Sequence, residues 1–219
     1  MTLSERMLTE EAAAFDAMVT HPFVRDLAAD TLPDAAFDRY LLIEGAFVET
    51  AIAIFGYAVA KAGDLQDRRK LIASLDALAH GQMDYFRDAY ARRGLASDPA
   101  LQADPRVAGF RDGMLAIARD GDFADIITAM FAAEWMYWTW CTAHRDAALS
   151  DPMRQDWIAL HAAPEFRAQA QWLKEKVDAF GRDLSEARSA ELLTLFGKVQ
   201  RLEFAFHAAA YDVASCSSP

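Results

Sequence analysis

Cysteine is scarce in this sequence. Only two cysteines, Cys141 and Cys216, occur among 219 residues, and they form neither a C-x-x-C motif nor the spacing of zinc ligands. A disulfide framework or a structural zinc site is therefore not expected. A chain with so few cysteines is typical of a reducing compartment, which favours a cytoplasmic location.

Positive charge and long apolar runs are also in short supply. Lysine and arginine number 22 against 33 acidic residues, so the formal net charge of -11 argues against nucleic acid or an anionic membrane as a partner. The longest apolar run, "TAIAIFGYAVA", is about half the roughly 20 residues that cross a bilayer. The acidic, amphipathic start "MTLSERMLTEEAAAF" does not resemble a signal peptide.

Strand signals are missing as well, whereas helix signals dominate. Alanine, leucine, glutamate, arginine and methionine are abundant, and apolar residues recur at the spacing of a helical face. No Ser/Gly linker or repeat divides the chain, so we expect one all-α, multi-helix bundle over residues 1–219, with frayed ends at 1–3 and 214–219. The expected helices lie near 4–20, 34–62, 66–93, 105–119, 122–147, 151–161, 164–180 and 184–213. The segment "HPF" at 21–23 is expected to break the chain. The expected N-caps are Asp34, Asp122 and Ser150 or Asp151, and the prolines expected in first helical turns are Pro105, Pro152 and Pro164.

Three carboxylates lie on otherwise apolar helix faces. Glu134 is the only charged residue between 126 and 140, in a stretch that holds three of the five tryptophans. Glu44 shares a face with Tyr40 and Phe47, and Glu203 is followed by aromatic residues one turn later. A charge in apolar surroundings costs free energy unless it is paired, protonated or useful.

Two interpretations of these carboxylates compete. A single such glutamate is usually an edge residue whose stem packs on the core while its head reaches water. Three of them on separate helices, each with aromatic neighbours, indicate instead the lining of a pocket with a polar floor. Gly45, beside Glu44, indicates close packing or a ligand near the backbone. His80 is interpreted as a core histidine that bonds a backbone carbonyl, in preference to a ligand-binding residue.

Four segments resemble one known family in the same order along nearly the whole chain. They are "HPFVRDLAADTLPDAAFDRYLL", "AVAKAGD", "DWIALHAAPEF" and "RLEFAFHAAA". Together they are similar to segments of the TenA family, the thiaminase II-like proteins on the heme-oxygenase-like helical fold. The resemblance implies that fold for this chain.

The resemblance also implies a set of ring-binding residues. Glu44 matches the position of an aspartate that binds the aminopyrimidine ring in the family, and Phe47 matches an aromatic residue that lines the ring pocket. Tyr137 or Trp138 matches the next pocket aromatic, and the choice between them stays open. His161 replaces a tyrosine that contacts the ligand.

Two further positions carry the implied catalysis. Glu203 matches the family's acid/base glutamate, and Glu134 lies where thiaminase-type members have the nucleophilic cysteine. Cys141 lies about two turns further along the same helix and does not stand in for that thiol. The chain resembles the branch with glutamate at this position, so water rather than a thiolate is the expected attacking group.

The function implied by the resemblance is hydrolysis in thiamin salvage. Amino- or formylamino-pyrimidine breakdown products of thiamin would be converted to hydroxymethylpyrimidine, while cleavage of thiamin itself would be weak. The implied enzyme needs no cofactor or metal, binds a small pyrimidine, and forms a homotetramer or homodimer.

Three alternatives remain open at this point. A carboxylate- and histidine-bridged diiron oxygenase on the same scaffold would use Glu134, His161 and Glu165, but two of its expected ligands fall at Ala73 and Ala168. A cofactor-free oxidase like the proteins of pyrroloquinoline-quinone synthesis would need more positive charge for its anionic substrate. The third alternative is a non-catalytic helical bundle that binds a small ligand or a partner.

Overall fold

The computed structural model describes residues 1–211, and within that range every regular element is helical. This confirms the all-α prediction. The expected fraying at 214–219 lies outside the described residues. The helices are α1 (Leu3–Glu10), α2 (Ala12–Val19), α3 (Pro22–Ala28), α4 (Asp34–Lys61), α5 (Leu65–Ala77), α6 (Met83–Arg93), α7 (Pro99–Gln102), α8 (Pro105–Asp120), α9 (Phe123–Ala143), α10 (Pro152–Ala162), α11 (Pro164–Asp183) and α12 (Glu186–Tyr211).

The amino-terminal region departs most from the sequence prediction. The expected helix 4–20 is divided at Glu11 into α1 and α2. Residues 1–3 were expected to fray, but Thr2 and Glu5 form a reciprocal capping box and Leu3 is buried. The "HPF" segment was expected to break the chain, yet it begins α3, because Pro22 occupies the first helical turn and His21 Nδ1 accepts from the Phe23 amide at 3.0 Å.

Two other helix starts follow the predicted capping chemistry, whereas the prediction for Asp34 is wrong, because Pro33 occupies the N-cap position of α4. Asp122 accepts a hydrogen bond from the Asp125 amide at 3.0 Å, and Asp151 accepts one from the Met153 amide at 2.9 Å. Proline occupies the first turn of α8, α10 and α11, as expected. The expected helix 66–93 is interrupted by a π-helical turn at Leu78–Gln82 that separates α5 from α6.

The fold consists of two compact units, and the prediction of a single domain stays a prediction. Unit 1 comprises Met1–Leu32 and Ile127–Phe204. Its aromatic core includes Phe131 and Phe196, whose ring centroids are 5.6 Å apart, and Phe15 stacks on Phe196 at 6.3 Å. This unit contains most of α9 and α12 and all of α10, which carry five of the seven predicted site residues.

Unit 2 comprises Pro33–Ile126 and Ala205–Pro219, and its longest helix is α4, which packs against α5, α6 and α8. Gly45 allows α6 to approach α4 closely. A Cβ at that position would overlap the Tyr90 hydroxyl and lie 2.8 Å from Phe86 Cδ1. The Tyr90 hydroxyl donates to the Leu41 carbonyl at 3.0 Å. The interpretation of Gly45 as a close-packing position is therefore confirmed.

Helix α4 is the one described helix that is long and apolar enough to cross a bilayer by composition, with a mean hydropathy of 1.6 in its best window. Core helices of soluble proteins satisfy the same criterion, so this feature is weak support for a membrane span. The expectation that the chain does not span a membrane stays a prediction.

Two glycines of α4 give a matched test of this packing. We expect Gly45→Ala to lower the free energy of unfolding by about 1–3 kcal/mol, because the new methyl group displaces Tyr90 and breaks its bond to Leu41. At Gly56 an added Cβ meets no described atom within 4 Å. Gly56→Ala is therefore expected to raise the free energy of unfolding by up to about 1 kcal/mol through helix propensity.

Urea denaturation of both variants measures these changes. Equal effects of the two substitutions would contradict the packing role assigned to Gly45.

Candidate functional site

Unit 1 carries the two predicted catalytic carboxylates on α9 and α12. Glu203 is 2% exposed, and Glu134 is half-buried. The two helices are joined close to both residues, because Gln200 Nε2 donates to the Ala132 carbonyl oxygen at 2.7 Å. Gln200 precedes Glu203 by one helical turn, and Ala132 lies two residues before Glu134. Both carboxylates thus lie within a turn of a buried contact between their helices.

The aromatic residues around Glu134 separate into two groups. Trp135 packs on Trp138 with ring centroids 4.7 Å apart and on Phe131 at 5.6 Å. Tyr137 is buried and stacks on the His161 ring of α10 at 5.0 Å with an interplanar angle of 29°. Of the two candidates for the pocket aromatic, Tyr137 is therefore the one beside another predicted site residue.

His161 lies in an aromatic enclosure. Besides Tyr137, its ring contacts Trp157 at 4.3 Å and Phe166 at 4.9 Å. Its Nδ1 is 2.9 Å from the Trp157 carbonyl oxygen, and since a carbonyl only accepts, Nδ1 carries the proton. Burial lowers the pKa of His161 to about 4, against the opposing effect of the Trp157 bond. The ring is therefore neutral at pH 7, and its Nε2 is a hydrogen-bond acceptor.

Unit 2 carries the remaining predicted ring-binding residues, Glu44 and Phe47, on α4. Glu44 is 9% exposed. Burial, and secondly the charge of Glu44, raise the pKa of Tyr90 to about 12, so the Tyr90 hydroxyl stays protonated as a donor. Phe47 is half-buried and contacts Phe110 at 4.7 Å and Phe206 at 6.3 Å. Phe47 thus belongs to a cluster of three phenylalanine rings.

Sequence reasoning missed several residues near the predicted ones. Phe166 contacts His161, and Phe110 contacts Phe47. Gln200 lies one turn before Glu203, and the charge of Glu44 acts on Tyr90. Gln200 had a usable signal, because it is a polar residue one turn before Glu203 on an apolar helix. The other three are aromatic residues that are typical of any core, so the sequence does not distinguish them.

Two other expectations concern reactive or metal-binding side chains. The prediction of a core position for His80 is wrong, because its side chain is 75% exposed, although its Nδ1 does lie 3.1 Å from the Asp76 carbonyl oxygen. Across residues 1–211, no three His, Cys, Asp or Glu side chains are grouped so as to hold a metal ion. The diiron alternative therefore has no ligand group in that range.

Cys141 is a buried thiol in α9. Its side chain is fully enclosed, and burial raises its pKa well above the usual value. Because the thiolate is the nucleophilic form of cysteine, a thiol held protonated in this way is unreactive near neutral pH. This supports the expectation that Cys141 does not replace the family's nucleophilic thiol.

Comparison with known proteins gives matches over nearly the full length of the chain. Residues 10–213 match the profile of the TENA/THI-4/PQQC family. The aminopyrimidine aminohydrolase of Halalkalibacterium halodurans is 26% identical over 217 residues, covering 97% of this chain and 96% of that protein. The aminopyrimidine aminohydrolase of Bacillus subtilis is 21% identical, covering 96% and 90%. A TenA homologue from Pyrococcus furiosus superimposes with a TM-score of 0.87 at 20% identity, covering 95% of this chain and 100% of that one, which confirms the expected fold.

The low pKa of His161 predicts a specific pH dependence of stability. Between the unfolded pKa of 6.5 and the folded value of about 4, the unfolded chain binds a proton at this position and the folded chain does not. Stability is therefore lost as the pH falls through this window, by on the order of 3 kcal/mol. We expect His161→Phe, which keeps a ring in the enclosure, to lose less stability than the parent chain between pH 6.5 and pH 4.

Denaturation curves at several pH values measure this difference, and imidazole NMR measures the titration directly. Parallel stability curves for the two proteins, or a His161 titration near pH 6.5, would contradict the assignment.

The enclosure of Cys141 predicts slow chemical modification. In the native protein, iodoacetamide at pH 7.5 is expected to label Cys141 at least about a hundredfold more slowly than in urea. The reason is that the native thiol is protonated and is shielded from the reagent. Peptide mass spectrometry measures labelling at this residue alone. Rapid native labelling, or loss of turnover in Cys141→Ala, would instead identify a functional thiol.

Proposed function

The chain belongs to the TENA/THI-4/PQQC family, and we propose that it is an aminopyrimidine hydrolase of thiamin salvage. In this proposal the enzyme converts amino- or formylamino-pyrimidine breakdown products of thiamin to hydroxymethylpyrimidine. Similarity over nearly the full length to proteins named aminopyrimidine aminohydrolase supports the reaction class. The glutamate at position 134 supports hydrolysis over thiol-dependent cleavage, since the resemblance to the family implies that a reactive cysteine would otherwise lie at this position.

The observation that carries this proposal is the arrangement of α9 and α12 in unit 1. Two carboxylates, Glu134 and Glu203, lie within a turn of the buried Gln200–Ala132 bond. Glu203 is almost fully screened from water. Carboxylates held in such surroundings exchange protons with a bound substrate without competition from bulk solvent, which is the requirement for general acid–base catalysis.

The proposed reaction replaces an amine by water. A C–N bond to the leaving amine breaks, and the oxygen of water forms the new C–O bond. Glu134 positions or activates the water, and Glu203 is the main acid/base, which protonates the departing amine. No metal or cofactor is needed, because both proton transfers are made by side chains.

The ring-binding roles complete the proposal. Glu44 holds the amidine-like edge of the pyrimidine, where a carboxylate accepts one hydrogen bond from the amino group and a second from the ring nitrogen when that nitrogen is protonated. Phe47 and one of Tyr137 and Trp138 contact the ring faces. The neutral His161 offers Nε2 as an acceptor for an N–H group of the ligand. These roles, the homo-oligomeric state and the cytoplasmic location remain predictions.

Replacement of Glu203 tests the catalytic assignment. Glu203→Gln keeps the size of the side chain but removes its ability to transfer a proton. We expect turnover to fall by at least about a hundredfold, the scale of an acid–base group. Ammonia and hydroxymethylpyrimidine are measured with a panel of thiamin, aminomethyl-pyrimidine and formylaminomethyl-pyrimidine.

A matched control lies on the same helix. Glu191 is exposed on α12, so Glu191→Gln is expected to retain full turnover. Turnover near the wild-type rate in the folded Glu203→Gln variant would contradict the catalytic role assigned to Glu203. If the wild-type enzyme hydrolyses none of the compounds in the panel, the proposed function is contradicted.

A further inference from the structure

Gln200 is the buried polar residue that links α12 to α9 in unit 1. The residue is fully buried, and Nε2 donates to the Ala132 carbonyl oxygen at 2.7 Å. The bond lies within one helical turn of Glu203 on α12 and of Glu134 on α9. A shift of either helix along its axis would lengthen this bond, so the bond opposes changes in the separation of the two carboxylates.

The other end of the Gln200 amide has no hydrogen-bond donor within residues 1–211. Because the Ala132 carbonyl only accepts, the nitrogen of the amide must face it, and Oε1 is thereby identified as the remaining atom. This Oε1 is buried and has no hydrogen-bond partner among residues 1–211. Buried acceptors are rarely left unsatisfied, and the missing donor is then an internal water molecule or a ligand.

Thr128 carries a second buried polar atom on α9, the helix to which Gln200 is bonded. It lies one turn before Ala132 on the same face of α9 and is fully buried. A helical threonine commonly donates to the carbonyl one turn earlier, as Thr139 does to Trp135 at 2.6 Å. Thr128 Oγ1 makes no hydrogen bond within the described part of the chain. A hydroxyl that does not bond its own helix is available to a bound molecule.

We propose that Gln200 is a positioning residue for Glu203 and Glu134, and that Gln200 Oε1 and Thr128 Oγ1 together hold one buried water molecule. The water donates to the amide oxygen and bonds the hydroxyl, so that both unsatisfied atoms gain a partner. The amide bond sets the register of α9 against α12, and with it the separation across which protons are transferred. The catalytic part of this inference rests on the proposed function, whereas the water site does not.

Kinetics of Gln200→Met test the positioning role. Methionine has a similar length but neither donates to Ala132 nor binds the water. We expect kcat to fall at least about tenfold while KM changes less than about threefold, because the lost interaction orients the reacting groups rather than the bound substrate. A kcat within about threefold of the wild type in the folded variant would overturn the positioning role.

Gln102→Met is the matched control. Gln102 Nε2 makes the same kind of bond, to the Leu42 carbonyl oxygen at 3.1 Å, but it joins α7 to α4. This variant is expected to lose thermal stability and keep its kcat. An equal fall in kcat for both variants would reduce the role of Gln200 to general stability and overturn the proposal.

Two measurements do not depend on turnover. A high-resolution crystal structure of the wild-type protein is expected to contain a water within hydrogen-bond distance of Gln200 Oε1, and Thr128→Val is expected to lack it. The δ-carboxyl carbon of Glu203, followed by NMR, is expected to titrate at a different pH in Gln200→Met and at the wild-type pH in Gln102→Met. If the wild-type crystal structure shows no water beside Gln200 Oε1, the water site is overturned. If Glu203 titrates at the same pH in Gln200→Met as in the wild type, the positioning role is overturned.

These measurements also separate the inference from the proposed function. If the wild-type enzyme hydrolyses none of the pyrimidines, the proposed function fails while the water and the titration still decide the role of Gln200. If Gln200→Met does not fold, Thr128→Val, which leaves the Ala132 bond intact, decides the water site by its crystal structure.

Discussion

The hydrogen bond from the Gln200 amide to the Ala132 carbonyl is the constraint on which the arrangement of unit 1 depends. A fully buried amide must find partners, because an unpaired one costs about 1–3 kcal/mol. The hydrogen bond between the two helices restricts how α9 can be aligned with α12. If one helix slid along the other, this bond would break and rings such as Phe131 and Phe196 would no longer pack together. Glu134 and Glu203 lie within one helical turn of this contact, on α9 and α12 respectively.

Electrostatics in unit 1 follow from the same exclusion of water. The rings around His161 leave it no solvent to stabilise a positive charge, so the imidazole is neutral and its proton is held by the Trp157 carbonyl. Cys141 is kept protonated for the same reason. Burial thus gives two side chains of unit 1 different chemistry: it removes the Cys141 thiol as a nucleophile and leaves His161 as a hydrogen-bond acceptor.

Much of the helical pattern and the burial of Glu44 and Glu203 could be predicted from the sequence, and the exceptions have physical causes. Glu134 can be recognised in the sequence because a single charged residue in an apolar helix requires an explanation. Gly45 can be recognised because glycine lowers the stability of a helix. The exposed position of His80 was missed because it belongs to a π-helical turn, which shifts the faces of α5 and α6 relative to a regular helix. The start of α3 was missed because Pro22 is equally compatible with a break and with a first helical turn.

The sequence by itself determined the all-α class, the capping of several helices and the placement of single carboxylates on apolar faces, because these depend on propensity and on the periodicity of neighbouring residues. Only the tertiary structure decided that Gln200 joins α12 to α9, that Tyr137 rather than Trp138 stacks on His161, and that Tyr90 lies over Gly45. Such contacts join residues that are far apart in the chain. They depend on which helix faces pack together, and the pattern of neighbouring residues in the sequence does not determine this.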